Sequence, residues 1–228
     1  MTSAAPIVCV LQARMGSTRL PGKILKDLAG APMLQRLIER VRSSRLIDAL
    51  VVATTDQPED DAVESLCDNL GVACFRGSSL DVLSRFVTVG RNVGAKNIVR
   101  LTGDNPFVDG LLIDRVVQAF LDANPPVDYA NNIEGSGYPY GLYVEVVRYA
   151  ALLDSDACTN PDDREHVTRF VRSNPAFRCM TVKSDRAYKC GSLTVDTAED
   201  YEQIKRLFEP LFKITPEFPH TFLQDNPK

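Results

Sequence analysis

Short apolar runs and runs with helical spacing alternate through the first half of the chain. The continuous apolar runs have the length of buried strands and cover residues 7–11, 49–53, 72–75 and 98–101. Between these runs, apolar residues recur every three or four positions, which is typical of helices. Helices are accordingly predicted around 33–41 and over 58–70, 80–93 and 111–121.

The alternation of strands and helices predicts an α/β fold. Strands separated by helices form βαβ units, in which the strands run parallel and right-handed crossovers place helices on both faces. The sequence therefore predicts a Rossmann-like, mostly parallel sheet. Because ligands of such sheets bind beyond the carboxyl ends of the strands, the segments after Leu11, Phe75 and Leu101 are expected to converge on one cleft.

The second half of the chain is less regular. The strands and helices predicted there cover 142–147, 193–195, 164–172 and 198–212. The last helix is expected to end near Pro210. We expect a single domain over 1–215 with a smaller, irregular, β-containing excursion at about 131–192. The remaining tail, 216–228, is expected either to be mobile or to pack against the domain.

Composition narrows the choice of partner and compartment. The net charge of the 228 residues is -4, so bulk attraction to nucleic acid or to an anionic membrane is not expected. The amino-terminal segment lacks the features of a signal peptide, and no run reaches the roughly 18 apolar residues of a spanning helix. A soluble, cytoplasmic protein is therefore expected. Six cysteines without a CxxC pair, and only two histidines, argue against a zinc site.

The segment from Gln12 to Lys23 (QARMGSTRLPGK) carries most of the candidate chemistry. It directly follows the first predicted strand and contains two glycines, two hydroxyl side chains and three cations. Glycine lets a backbone approach a ligand closely, and basic side chains neutralise phosphate. The segment is therefore predicted to bind the phosphates of a nucleotide, with Arg14, Arg19 and Lys23 supplying the charge.

Two other interpretations fit this segment less well. A Walker A loop has four residues between its glycines and a Ser or Thr after its lysine. Here five residues separate Gly16 from Gly22, and Ile24 follows Lys23. A charged surface loop with turn glycines is the other alternative, but such loops seldom hold so many cations directly after the first strand.

Two aspartates are predicted to lie at the same edge of the sheet. Asp104 follows the fourth strand, and Asp196 follows the strand predicted at 193–195. Mg²⁺ binds carboxylate and phosphate oxygens, usually through one or two protein carboxylates, so both are candidate ligands. The alternatives are a turn for Asp104 and a helix N-cap for Asp196. Thr197 and Asp200 already form a capping pattern, which leaves Asp196 free.

The segment 12–23 resembles the A-R-x-G-S-x-R-L-P-x-K signature of cytidylyltransferases that activate acidic sugars. These are the acylneuraminate and 3-deoxy-manno-octulosonate cytidylyltransferases, and the match is closest to their spore coat polysaccharide biosynthesis protein F-like relatives. The resemblance spans about residues 6–208 and includes the late motif V-D-T-P-E-D, in which Ala198 replaces the proline. It implies a fold of nucleotide-diphospho-sugar transferase type.

The resemblance also implies roles for individual residues. In the family this loop wraps the nucleotide phosphates, which implies that the nucleotide is bound by Gln12, Ala13, Arg14, Gly16, Ser17, Arg19 and Lys23. In a further similar segment, Arg76 or Asp81 is expected to contact the base or ribose. The expected catalytic residues are Arg14, Lys23 and Asp104. The expected ligands of Mg²⁺ are Asp104 and Asp196.

Two more segments resemble motifs of the family. Residues 141–145 resemble G-L-D-x-E, which lies near the acceptor, but Tyr143 stands where the pattern has aspartate, while Glu145 is kept. Residues 164–168 resemble R-E-H-V-T, so Arg164 and His166 are expected to bind an anionic acceptor or to lie in a subunit contact. The alternatives are a solvent-facing strand carboxylate for Glu145 and a structural role for His166.

Together these features predict a nucleotidyltransferase, which the resemblance makes CTP-dependent. An acceptor oxygen of a sugar or sugar acid would attack the α-phosphorus and release pyrophosphate, without a covalent intermediate. The resemblance implies surface polysaccharide or glycoconjugate biosynthesis, and a homodimer stays open. A nucleotide-sugar-dependent glycosyltransferase is an alternative, although Asp104 lacks the Asp-x-Asp partner common in that class. A catalytically silent nucleotide-binding protein is another, and Tyr143 favours it.

Overall fold

A seven-stranded sheet lies at the centre of the fold in the computed structural model, which describes residues 6–188 and 190–225. The strands are β1 (Ile7–Gln12), β2 (Asp27–Leu28), β3 (Ala31–Pro32), β4 (Ala49–Thr55), β5 (Ala73–Gly77), β6 (Asn97–Thr102), β7 (Tyr129–Asn131), β8 (Glu145–Arg148) and β9 (Cys179–Thr181). Their order across the sheet is β5-β4-β1-β6-β8-β7-β9, while β2 and β3 pair separately. Neighbours run parallel except that β8 is antiparallel to both β6 and β7. The mostly parallel, Rossmann-like sheet predicted from the sequence is confirmed.

Helices connect these strands at the predicted places in the first half. The helices are α1 (Met33–Val41), α2 (Asp61–Leu70), α3 (Val82–Val93), α4 (Gly110–Asp122), α5 (Tyr149–Asp156), α6 (Pro161–Glu165), α7 (Arg169–Ser173), α8 (Ala198–Ile214) and α9 (Phe222–Asp225). Short 3₁₀ turns lie at Lys23–Leu25 and Pro58–Asp60. None of the helices within the described ranges is long and apolar enough to cross a membrane.

The helices cover both faces of the sheet because alternate strand residues point to opposite sides. On β1, Cys9 and Leu11 pack into one buried cluster with α1, α2, α4 and α8. Val8 and Val10 pack into a second cluster with α3, α5 and α7. Since β1, β4, β5 and β6 are parallel, their carboxyl ends meet at one edge, where the segments that follow them lie side by side.

The helix predicted over 164–172 is divided in the structure. It forms the short helices α6 and α7, separated by residues 166–168. Val167 adopts a positive φ of 53°, a conformation that a helix cannot include. Its side chain is fully buried, which holds the break in place.

The strand predicted at 193–195 is buried but pairs with no strand. Its amides donate to carbonyls of two loops instead. The Leu193 amide donates to the Tyr140 carbonyl, and the Val195 amide donates to the Asp104 carbonyl. Likewise, Pro210 does not end α8, which continues to Ile214. Phe212 stacks on Phe208 with ring centroids 5.9 Å apart, so packing stabilises the turn beyond the proline.

The segment 131–192, predicted as an irregular excursion, contributes β8 and β9 to the main sheet. Of the tail, Phe218, His220 and Leu223 are buried against the domain. Residues 226–228 lie outside the described ranges. The segment following β8 also supplies α5, α6 and α7, which cover the second cluster.

Candidate active site

The loop between β1 and the first 3₁₀ turn borders a cleft of about 230 Å³ at the carboxyl edge of the sheet. The lining residues are Gln12, Ala13, Arg14, Ser17, Thr18, Arg19, Lys23, Ile24, Thr102, Gly103, Asp104 and Asp196. Eight predicted site residues from three separate parts of the chain therefore meet here. Gly16, predicted to approach the nucleotide, is exposed on the loop and does not line the cleft.

The loop is folded back on itself by its own backbone. The amides of Ser17 and Gly22 both bond to the Met15 carbonyl, at 2.8 and 3.0 Å. The Met15 amide bonds to the buried carboxylate of Asp60, at 2.6 Å. Asp60 also accepts hydrogen bonds from the amide and hydroxyl of Thr55 at the end of β4. Asp60 thus fixes the loop to the sheet edge, a role that the sequence pattern did not indicate.

Lys23 lies between the two candidate metal ligands. Its Nζ is 3.4 Å from Asp104 Oδ2 and 3.1 Å from Asp196 Oδ1, and it donates to the Val195 carbonyl at 2.6 Å. Lys23 is only 8 % exposed, although residues 14–22 of the same loop are exposed or half-buried. Three acceptors draw the ammonium inwards, because a buried charge needs partners.

Asp196 is free of the helix cap, as predicted. Thr197 and Asp200 form a reciprocal capping box at the start of α8. The Asp196 carboxylate is therefore left to pair with Lys23 and, at 2.9 Å, with Arg19. Two of the three cations of the loop, Arg19 and Lys23, thus neutralise the carboxylates that are candidate metal ligands.

The turn at 138–141 packs against the segment that leads to Asp196, and the Leu193 amide donates to the Tyr140 carbonyl. Gly141 has a φ of 97°, and a Cβ there would lie 2.4 Å from the Leu193 carbonyl carbon. Only glycine lets the two backbones approach this closely. Tyr140 is part of the same turn. Burial raises its pKa, and the charges of Asp196 and Asp104 raise it further. Tyr140 therefore lies near both aspartates.

A second, smaller cavity of about 150 Å³ adjoins the first, with Thr102 lining both. The residues around it are Arg100, Thr102, Asn105, Ile133, Tyr143, Glu145, His166 and Arg172. Three residues predicted to bind the acceptor, Tyr143, Glu145 and His166, are thus gathered here. Tyr143 packs edge-on against Tyr140, with ring centroids 5.2 Å apart.

Glu145 is 4 % exposed, and its carboxylate is fully engaged. It pairs with Arg100 and accepts hydrogen bonds from Tyr129 and Thr168. Burial alone would raise the pKa of Glu145, but the Arg100 charge and these hydrogen bonds hold it below its usual value. The alternative of a solvent-facing carboxylate was wrong, and Glu145 orders the wall of the cavity.

Arg164, Asp81 and Arg76 line neither cavity. Arg164 pairs with Asp81 at 2.6 Å and with Asp156 at 3.0 Å. Asp81 also caps α3 by accepting from the Ser84 amide. Arg76 pairs with two acidic residues at the start of α2, which are Asp61 and Glu64. Arg164, expected near the acceptor, thus pairs with Asp81, expected near the base or ribose. Arg76 is held by its acidic partners on α2 and does not face the cleft.

Several residues of the site were not singled out from the sequence. Arg100 and Arg172 bring positive charge to the second cavity. Tyr140 packs against Tyr143 and lies near both aspartates. A signal did exist for Arg100, because it is a charged residue inside an otherwise apolar strand. Arg172 lies on α7, and only the break at 166–168 brings it beside His166.

Comparisons with known proteins agree with this geometry. The cytidylyltransferase family model matches residues 8–222, nearly the whole chain. The chain belongs to the cytidylyltransferase family. It is 42 % identical to the spore coat polysaccharide biosynthesis protein SpsF of Bacillus subtilis strain 168 over 212 residues, covering 89 % of this chain and 86 % of that one.

This cytidylyltransferase also resembles a solved structure along its length. A cytidylyltransferase from Leptospira borgpetersenii is 31 % identical, with a TM-score of 0.89, over 97 % of this chain and 93 % of that one. The 3-deoxy-manno-octulosonate cytidylyltransferase of Trichlorobacter lovleyi is 36 % identical over 120 residues, covering 52 % of this chain and 46 % of that one. The predicted family and nucleotidyltransferase class are therefore confirmed.

Proposed function

We propose that this cytidylyltransferase transfers the cytidylyl group of CTP to a sugar-acid acceptor and releases pyrophosphate. The observation that carries the proposal is the position of Lys23 Nζ between Asp104 and Asp196, beside the exposed cations Arg14 and Arg19. Cations and carboxylates in one cleft match the two needs of phosphoryl transfer, which are charge neutralisation and positioning. The acceptor oxygen bonds to the α-phosphorus while the bond from the α-phosphorus to the oxygen bridging it to the β-phosphorus breaks.

Arg14, Arg19 and Lys23 bind the triphosphate in this proposal. Arg19 and Lys23 are paired with Asp196 and Asp104 in the ligand-free protein. Arriving phosphates therefore exchange partners with the carboxylates rather than meeting unpaired cations. The cations then stabilise the negative charge that collects on the leaving pyrophosphate.

The two carboxylates fit Mg²⁺. Both approach one ammonium nitrogen within 3.4 Å, so a single cation can contact both. No group of three or more acidic, His or Cys side chains suited to a metal occurs in the described parts of the chain. Mg²⁺ is commonly held by one or two carboxylates together with substrate phosphates, which is the arrangement available here. Bound there, it would polarise the α-phosphate.

The second cavity holds the acceptor in this proposal. Arg172 and His166 line it and offer hydrogen bonds and charge to a carboxylate, while the Tyr143 ring offers an apolar face to a sugar. Thr102, shared by both cavities, marks where the acceptor meets the α-phosphate. Similarity to SpsF suggests a role in surface polysaccharide biosynthesis, in the cytoplasm, where CTP is available.

Pyrophosphate release tests the proposal directly. The protein is incubated with CTP and Mg²⁺ and a panel of sugar acids and neutral sugars, and pyrophosphate is measured by a coupled assay. We expect release that depends on one class of acceptor and that is abolished in Asp104→Asn and Asp196→Asn, which lose charge but little volume. CTP binding without release for every acceptor would instead indicate a catalytically silent protein. Full activity in either variant would remove that residue as a metal ligand.

A further inference from the structure

Arg85 is a buried cation without an acidic partner. It lies on α3, is 1 % exposed, and is the largest of the fully buried side chains in the described residues. Its Nη1 donates a long hydrogen bond of 3.4 Å to the Ala53 carbonyl. Its Nε and Nη2 have no hydrogen-bond partner among the described residues. Burying unpaired charge is costly, so this arrangement calls for a reason other than stability.

Three carboxylates act on Arg85 through their charge, those of Asp60, Asp81 and Asp56, but no ion pair joins any of them to Arg85 among the described residues. Asp60 is bonded to Met15 and Thr55, and Asp81 caps α3 and pairs with Arg164. Burial and the nearby charge of Arg14 lower the pKa of Arg85 to about 10, so it is still protonated near neutral pH. The guanidinium therefore stays charged despite its burial, and its Nε and Nη2 donors stay available.

The position of Arg85 relates it to the cleft. The Ala53 carbonyl that Arg85 contacts also accepts from the Ala13 amide, and Ala13 lines the cleft. Gly77 makes room for the side chain, since a Cβ there would lie 2.9 Å from Arg85 Cγ. Arg85 thus lies beneath the β4 and β5 side of the cleft. The acceptor cavity is on the other side, beside β6 and β8.

The two free donors share one edge of the guanidinium. Nε–H and the adjacent Nη2–H point in parallel and can bind two neighbouring acceptors at once. Cytosine presents such a pair, its O2 and its unprotonated N3. In uracil the N3 carries a hydrogen and would face a donor, leaving both unsatisfied. A pair of parallel donors of this kind therefore binds cytosine in preference to uracil.

We infer that Arg85 recognises the base of the nucleotide. Its Nε and Nη2 donate hydrogen bonds to O2 and N3 of cytosine. The inference rests on the proposed function and deepens it. With phosphates at the loop and the acceptor beside β6, the β4 and β5 side is the end left for the base. Arg14, which lines the cleft with an exposed side chain, is close enough to Arg85 for its charge to act on it, which relates Arg85 to the open part of the cleft.

Nucleotide selectivity in Arg85→Met tests the assignment. Dissociation constants for CTP, UTP and inorganic tripolyphosphate are measured by calorimetry in the wild-type protein, Arg85→Met and Arg91→Met, an exposed control on the same helix. In the wild type we expect CTP to bind about 10- to 100-fold more tightly than UTP, the range for charge-assisted hydrogen bonds. In Arg85→Met the two affinities converge within about twofold, the tripolyphosphate affinity stays unchanged, and the melting temperature does not fall.

Two results would overturn the inference. One is an unchanged preference for CTP in Arg85→Met. The other is an equal loss of CTP and tripolyphosphate binding together with a lower melting temperature, which would make Arg85 a structural residue. Pyrophosphate release by the wild type is scored separately, so failure of the proposed function is distinguished from failure of this assignment.

Discussion

Lys23 contacts three acceptors at once, so its loss is expected to affect both triphosphate binding and the stability of the fold. Lys23→Ala removes a phosphate contact, which should weaken triphosphate binding by about 1.5–3 kcal/mol. It also leaves Asp104 and Asp196 without the ammonium that lies between them, while Arg19 still pairs with Asp196. Because Lys23 is buried, we therefore expect the free energy of unfolding to fall by about 1–3 kcal/mol.

Calorimetry with CTP and thermal unfolding measure both effects, with the exposed Lys96→Ala as control. Adding Mg²⁺ should recover stability in Lys23→Ala more than in the wild type, because a divalent cation can replace the missing ammonium between the carboxylates. Unchanged CTP affinity in Lys23→Ala would reject its phosphate role.

Tyr143 is the residue at which the chain departs from the motif that it resembles. In the second cavity it offers a phenol and an aromatic face rather than a carboxylate, and burial raises its pKa above the usual value. It is therefore neutral near pH 7 and cannot act as a base. Tyr143→Asp should shift the preference among acceptors, while CTP affinity stays within about 0.5 kcal/mol.

Steady-state rates of pyrophosphate release over the acceptor panel check this prediction. Tyr143→Phe is the matched control, since it keeps the ring and removes only the hydroxyl. If the wild type already uses a standard acidic sugar briskly and Tyr143→Asp behaves identically, Tyr143 lies outside the acceptor site.

At the residue scale, the sequence predicted the convergence of the 12–23 loop and Asp104 on one cleft better than it predicted the surroundings of Arg76. Arg14, Lys23 and Asp104 follow parallel strands, and parallel strands end at one edge, so their convergence could be predicted. Arg76 was a reasonable candidate for the base on the same ground. It is instead drawn to α2 by two carboxylates, and such pairing depends on side-chain packing that spacing along the chain does not reveal.

At the scale of elements, the 12–23 loop is held by one buried side chain outside it. Asp60 joins the Met15 amide to Thr55 and so positions the loop on the end of β4. Asp60→Ala should leave these buried donors unsatisfied, lowering the free energy of unfolding by about 1–3 kcal/mol. CTP affinity should fall as well, since the loop would no longer be held in its binding geometry.

Unfolding in urea and CTP calorimetry measure these effects. Asp68→Ala on α2 removes an exposed carboxylate of the same kind and serves as the control. Stability that falls while CTP affinity is unchanged would show that the loop keeps its geometry without Asp60.

The elements themselves were predictable where local signals agreed with packing. In the first half, the ends of α2 and α3 coincide with Gly71 and Gly94, and the apolar faces match the core. In the second half, tertiary contacts override local pattern. Val167 breaks a helix whose sequence continues the helical pattern, and residues 193–195 bond to loops rather than to a strand.

At the scale of the whole molecule, the chain end and the active site share one aromatic cluster. Phe218 packs edge-on against Phe107, at 5.9 Å, and against Phe208 of α8, at 5.1 Å. Arg40 stacks on Phe218 at 4.2 Å and donates to its carbonyl and to that of Phe107. Phe107 lies three residues after Asp104, so this cluster anchors the turn that carries the aspartate.

Phe218→Ala should therefore lower the free energy of unfolding by about 3–5 kcal/mol, because it opens a cavity in a packed core. The control is Ile214→Ala on α8, whose side chain is 73 % exposed and whose loss should change stability by about 0.5 kcal/mol or less. Since the cluster holds the Asp104 turn from behind, pyrophosphate release should decline on warming before the protein unfolds. Chemical unfolding and an activity–temperature profile measure the two effects, and a Phe218→Ala protein as stable as the control would show that the tail does not brace the domain.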